Sequence, residues 1–421
     1  MKKFFKIVKI TCILFAPALI IANPVPYRSS NSDLTTTDLR LSAMGDIDIV
    51  IEGSSNEINF YDFGELGAGI FDDNGGKSSI FIPGIFGFDM TEEAYEKREY
   101  FGGNIMARVI KKVGASDFLG GIVNFSKHRW QYNNWFGIEK ISDKNLYDTL
   151  IFAHGFKNIF FGFRSGFITE NKRYSYELRD NTIFRDILYG EPSLVMHFKD
   201  NPWSAGFGYR YEKYKSGIRE YDDRSIDRYN TLILPVIYNT QDFNLGFKFD
   251  YQMADAEEGA RNGFLFKLKT MNKINLQNKF VNTGIIASYD TKKDYYSEFW
   301  IWDKKLNAGF GISYMNRLGI QYEHQIFYDE YNRTSHFNRI SQGCEINIAE
   351  NLFLRAGYTF GFTSPYRFYL PEKESIISSG IGFCSVNLRI KIDLFGRLNF
   401  IREDDWWWTE PNFGIAWIIS L

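Results

Sequence analysis

The sequence predicts an all-β chain, a transmembrane antiparallel up-and-down β-barrel of roughly 14 to 18 strands with an N-terminal plug-like segment. Three observations predict it. Long segments alternate strictly between apolar and polar residues, short and long connections alternate along the second half, and no run of about eighteen apolar residues follows the N-terminus. The clearest segment is Phe243 to Met253. Phe243, Leu245, Phe247, Phe249, Tyr251 and Met253 share one face, while Asn244, Gly246, Lys248, Asp250 and Gln252 share the other. Strands of soluble sandwiches usually turn after about five or six residues. A two-faced strand of about eleven residues crosses a tilted bilayer path, with its oily face on lipid and its polar face on a lumen.

Composition agrees with this class. With 18% aromatic residues, 36 Gly and only 10 Pro in 421 residues, the chain is too aromatic for disorder. A formal charge of -2 gives no bulk field for nucleic acid.

The N-terminus reads as an address. Lys2, Lys3, Lys6 and Lys9 precede an apolar core from Ile10 to Ile21, and Ala22 suits cleavage before Asn23. Residues 1–22 are therefore expected to be a secretory signal peptide. Cys12 follows Lys9, Ile10 and Thr11, which lack the small residues that lipid attachment prefers. Cys344 and Cys384 are expected to be small hydrophobes on strands rather than disulfide partners.

Residues 23–77 form a separate N-terminal segment, periplasmic or lumen-plugging. It holds Ala43-Met44-Gly45, an apolar run from Ile47 to Ile51, an acidic and Asn-containing stretch, Tyr61-Asp62-Phe63-Gly64 and Leu66-Gly67-Ala68-Gly69. This arrangement over residues 38–75 resembles outer-membrane barrels of the fatty-acid-transporter and PorV-like families. The resemblance implies that the segment packs inside or beneath a barrel of about fourteen strands. Those families often carry Asn-Pro-Ala-Gly where this chain has Leu66 to Gly69, so the resemblance carries over architecture alone.

Residues 78–421 are the expected barrel. Trp203 to Tyr211, Leu306 to Tyr314 and Leu352 to Phe362 repeat the two-faced design, and the weaker first half adds Gly103 to Lys112, Asp117 to Ser126, Tyr147 to His154, Asn158 to Thr169 and Tyr189 to Lys199. With a strand over 78–88, the count reaches about eighteen, an even number as this topology requires. Tight turns are expected near Asp200 to Pro202, Thr240 to Gln241, Asn316 to Arg317, Ala349 to Asn351 and Phe395 to Arg397. Longer loops are expected near 215–228, 254–262, 291–303, 330–337, 364–376 and 403–411, the last holding Trp406-Trp407-Trp408 as an interface anchor. Asn412, Gly414, Trp417 and Ile419 resemble the last-strand signal read by the barrel assembly machinery, with Leu421 where a terminal Phe or Trp is common.

Chemistry-bearing motifs are sparse. Gly75-Gly76-Lys77-Ser78 lacks the earlier glycine of a phosphate loop, because Phe71 stands there. His128, His154, His197, His324 and His336 are never three or four residues apart, so no closed metal site is expected. None is followed by Ser two residues on, and none follows an Asp, so the His-Ser and Asp-His pairs of barrel lipases and proteases are missing. No enzyme activity, cofactor or catalytic residue is expected. The acidic pairs Glu92-Glu93, Asp222-Asp223, Glu257-Glu258 and Asp404-Asp405 suit solvated loops.

Parity gives a set of lumen-lining candidates, namely Arg210, Lys248, Asp250, Lys267, Lys269, Glu323, Arg355, Arg389, Lys391 and Asp393. Such charges bias solute entry if they face water, or hold the interior together if they pair. The expected function is a porin-like or fatty-acid-transporter-like channel for small solutes or hydrophobic molecules in the outer membrane, with lipid and the assembly machinery as partners and no nucleic acid. The long aromatic loops motivate an alternative, a non-enzymatic anchor or shuttle for secreted surface proteins.

Overall fold

Alternation of large apolar and small polar residues produces strands that pair only with like strands, and eighteen of them follow one another. The computed structural model describes residues 43–44, 47, 49–51, 66–69, 78–93, 96–134, 137–176, 179–198, 201–218, 223–255, 262–291, 304–328, 334–364, 373–385, 390–403 and 406–420. The strands are β1 (Ser79–Glu93), β2 (Glu96–Lys112), β3 (Asp117–Asn134), β4 (Gly137–Phe156), β5 (Ile159–Tyr176) and β6 (Arg179–His197). There follow β7 (Trp203–Ile218), β8 (Asp223–Asn239), β9 (Phe243–Asp255), β10 (Gly263–Leu276), β11 (Lys279–Asp290) and β12 (Lys304–Tyr314). The last six are β13 (Leu318–Tyr328), β14 (Thr334–Ala349), β15 (Leu352–Ser364), β16 (Lys373–Cys384), β17 (Ile390–Glu403) and β18 (Trp406–Ser420).

Every strand pairs antiparallel with its sequence neighbours in one 18-stranded sheet. β1 also pairs β18, from Ser79 opposite Ser420 to Gly87 opposite Asn412. The pairings thus return to their start, which is how backbone amides avoid being stranded in oil. No described helix is long and apolar enough to cross a membrane.

The two ends of the barrel differ. At one end β4 meets β5 through Lys157 and β10 meets β11 through Gln277, both with positive φ (55° and 57°), the backbone that tight hairpins need. At the other end β9 and β10 are separated by residues 256–262 and β11 and β12 by 291–303. From β9 to β16 the wider separations fall at this end, as external loops do in such barrels, whereas β1–β2, β3–β4, β5–β6 and β17–β18 are separated there by two residues each.

Parity holds in the strands that the sequence made clearest. On β9, Asp250 and Gln252 are buried while Phe243 and Met253 are exposed. The outward set includes Leu150 at 67% and Phe310 at 63% exposure, and side chains this large stay bare in lipid, not in water.

Several expectations change. The turn expected at Phe395 to Arg397 lies within β17, and the turn falls between β16 and β17 instead. Gly396 pairs with Ser379 and Phe413 in mid-sheet, so its glycine marks no reversal. Trp406-Trp407-Trp408 belongs to β18 rather than to a loop, and β7 and β8 run well into the loop expected at 215–228. The inner face is also less polar than alternation implied. Ile110, Phe118, Ile151 and Ala153 form one buried cluster there, and Ile187, Tyr214 and Tyr229 another. The signal peptide, Tyr61 to Gly64, Gly75 to Lys77, the acidic pairs at 257–258 and 404–405, and Arg389 lie outside the described residues.

The bore and the N-terminal segments within it

Two pieces of the N-terminal segment rest on the inner wall, at opposite arcs of the ring. The first is apolar. Met44, Ile47, Ile49, Val50 and Ile51 cluster with Ile286 of β11, and each of the five is at most 2% exposed. An apolar run in a polar N-terminus has no other apolar surface to join, so burial drives it onto the wall. Wall side chains then satisfy its main chain. Ser313 Oγ and Asn282 Nδ2 donate to the Val50 carbonyl at 2.7 and 3.2 Å, and Ser378 Oγ donates to the Ala43 carbonyl at 3.2 Å. The Ile49 amide donates to Gln321 Oε1 at 3.0 Å, and Gln321 Nε2 donates to Glu323 Oε1 at 3.0 Å.

Glycines make the seat. A Cβ at Gly343 of β14 would overlap the Met44 carbonyl, and one at Gly284 of β11 would stand 2.6 Å from the Ile49 carbonyl oxygen. Only residues without side chains let the segment lie this close.

The second piece is the 3-10 turn Gly67–Gly69 with Leu66, all buried. It lies on β5 and β6. The Ala68 amide donates to Ser193 Oγ at 2.9 Å, and a Cβ at Gly162 would overlap the backbone of Gly67 and Ala68. Leu66 clusters with Val195, Ile233 and Ile237.

The inner-face charges are paired rather than loose. Arg210 Nη2 lies 2.7 Å from Glu191 Oε2, and Arg164 Nη2 lies 2.9 Å from the same oxygen. Pro192 has no amide to donate, and the β6–β7 ladder skips from Gly190 opposite Tyr211 to Ser193 opposite Gly208. Glu191 ties β5, β6 and β7 together at that gap. On the other arc, Arg355 reaches Glu345 at 2.8 Å and Asp393 at 2.5 Å, and Lys391 stands 3.3 Å from Asp393. Gly382 of β16 lies between, and a Cβ there would sit 2.7 Å from Asp393 Oδ1, so the glycine opens the path by which Arg355 spans two strands.

Of the remaining candidates, Lys248 lies 3.3 Å from Asp250, and Glu323 holds Gln321. Lys267 and Lys269 are on the same inner face and are also engaged. Of the two roles open to these charges, pairing that holds the interior together is the one seen at Arg210, Lys248, Asp250, Arg355, Lys391 and Asp393. Sequence reasoning missed Glu191 and Arg164, which stand 27 residues apart and meet only through the β5–β6 register. Cys344 and Cys384 are not joined in a disulfide. No group of three or more His, Cys, Asp or Glu side chains suited to a metal occurs among the described residues.

Solved structures with this architecture are outer-membrane proteins. The copper transporter OprC aligns with a TM-score of 0.50 at 8% identity, over 82% of this chain and 82% of that one. This chain has the fold of an outer-membrane β-barrel. A TodX monoaromatic hydrocarbon channel variant aligns at a TM-score of 0.43 and 11% identity, over 92% of this chain and all of the other (100%). CdiB from Acinetobacter baumannii aligns at 0.47 and 10% identity over 81% of this chain, which spans only 60% of that protein's length. No family model matches the chain, and no curated protein is similar to it in sequence. The likeness is thus one of fold, shared by transporters, porins and channels.

Proposed function

We propose that the protein is a plugged passage across the outer membrane for small hydrophobic molecules. The observation that carries this is the apolar set Met44, Ile47, Ile49, Val50 and Ile51, buried in the bore, with wall side chains at the main-chain atoms of Ile49 and Val50. Such contacts are exchangeable, because water can replace a serine or an amide at a carbonyl. Leaving the seat exposes Ile286 and the wall glycines, a surface that suits an apolar solute. Porin bores are polar and water-filled, whereas this inner wall carries the Ile187–Tyr214–Tyr229 and Ile110–Phe118–Ile151 clusters with its fixed charges neutralised in pairs. The likeness to transport barrels supports the general role, and the hydrophobic class rests on the wall.

Purified protein in planar bilayers tests it. The wild type is expected to stay near baseline with brief openings, and replacing Ile47, Ile49 and Val50 together with Asn is expected to give sustained conductance. Sustained conductance already in the wild type, or baseline in both, would count against a plugged route.

A further inference from the structure

The outer face of the β13–β14 hairpin carries a polar group beside the exposed apolar Ile320 and Ile340. Tyr322 and His324 of β13, with His336 and Asn338 of β14, share the outward parity of the exposed Ile320 and Ile340. The register puts His324 opposite Asn338 and His336 opposite Ile326, close to the loop rim where β13 ends at Tyr328 and β14 begins at Thr334. Histidines on a lipid-side surface are costly and call for a compensating partner.

Their hydrogen bonds fix which nitrogens are available. Asn338 Oδ1 accepts from Tyr322 OH at 2.7 Å and lies 2.8 Å from His324 Nδ1. An amide oxygen only accepts, so Nδ1 of His324 carries the proton and its Nε2 presents a lone pair. This is the support that metal-bound imidazoles receive from a neighbouring oxygen. His324 Nε2 then stands 3.3 Å from His336 Nδ1, while the ring centres are 5.4 Å apart. The nitrogens are much closer than the centres, so they lie on the facing edges of the two rings. A tetrahedral zinc ion with bonds of about 2.0–2.1 Å separates two imidazole nitrogens by about 3.3–3.4 Å.

We propose that His324 and His336 form a two-histidine site for a divalent transition ion of the zinc type on the outer face of the barrel. Imidazole nitrogen suits such ions, and the two open coordination positions are left for water at the loop rim, where β13 and β14 leave the membrane. Without the ion, His336 donates its Nδ1 proton to His324 Nε2, and binding the ion requires His336 to carry that proton on its other nitrogen instead. The hairpin register, not sequence spacing, makes the site. It is independent of the passage proposed for the bore.

Calorimetric titration of the full chain, tag-free and metal-free in detergent, with zinc chloride tests this. One site of micromolar affinity is expected. His324→Gln and His336→Gln should each weaken it at least tenfold, Asn338→Ala by about tenfold through loss of the oxygen that orients the His324 ring, and His154→Gln not at all. Since a substitution can disturb the barrel, folding is checked by heat-dependent gel mobility, and His336→Cys, which restores a ligand, should regain binding. Absence of zinc binding by the wild type, or unchanged affinity in the folded His324→Gln/His336→Gln double variant, overturns the proposal.

Discussion

The two pieces of the N-terminal segment are held by different physics. The first, Ala43 to Ile51, is held largely by side chains, with five buried apolar groups and four hydrogen bonds between its described main chain and wall side chains. Leu66 to Gly69 has one apolar anchor, Leu66 on Val195, Ile233 and Ile237, and otherwise lies main chain on main chain at Gly162, with a bond from the Ala68 amide to Ser193 Oγ. The difference teaches where each seat is vulnerable. The first yields to apolar losses in the segment as well as to side chains added at Gly343 or Gly284, whereas the second, with one apolar anchor, yields chiefly to a side chain added at Gly162. Both pieces lie close on wall backbone, but more of the bonds of the first run to wall side chains, which water can replace.

The largest effect is expected from Gly162→Val. Its side chain would overlap the backbone of Gly67 and Ala68, and no flexible group is there to yield. Amide exchange at residues 66–69 should rise by orders of magnitude while residues 49–51 stay protected. Equal loss of protection in both pieces would mean that they move as one body. Next comes Ile49→Ala. Removing a fully buried isoleucine costs about 2–5 kcal/mol, and here that cost should fall on residues 43–44, 47 and 49–51 rather than on 66–69. Exchange at those amides is the measure, and an unchanged rate would show that the cluster contributes little. The smallest contrast is Ser313→Ala against Ser193→Ala, each removing one bond of about 1 kcal/mol. Asn282 still serves the Val50 carbonyl after the first change, whereas the Ala68 amide loses its hydroxyl partner in the second, so Ser193→Ala should be the more damaging.

Much of this molecule was legible in sequence because lipid demands uniformity on one face. Phe243 to Met253 and Leu306 to Tyr314 declare their parity outright, and the even strand count followed from repeating it. The first half was harder to read, since inward Phe118, Ile151 and Ile187 blur the alternation. Gly396 looked like a turn because glycine breaks strands in general. Here nearby Gly414 is bare because a Cβ would strike the Phe395 ring, so glycine on this wall makes room for aromatics rather than for reversals. The apolar run Ile47 to Ile51 was visible, but its seat was not, since Gly343 and Gly284 acquire meaning only once Met44 and Ile49 lie on them. The ion clusters were invisible for the same reason. Register brings Glu191 to Arg164, and Gly382 lets Arg355 pass β16 to reach Asp393.

The central claim, that solute passes only when the first piece leaves the wall, can be tested by tethering it. A Cβ at Gly311 would stand 3.1 Å from Val50 Cγ1, close to the Cβ-to-sulfur span of a disulfide, so Val50→Cys with Gly311→Cys should bridge once Cys344 and Cys384 are changed to Ser. In planar bilayers the oxidised protein is expected to show no openings, and the same membrane should recover them on adding reductant. Openings of equal frequency before and after reduction, with the bridge verified by mass, would contradict the account.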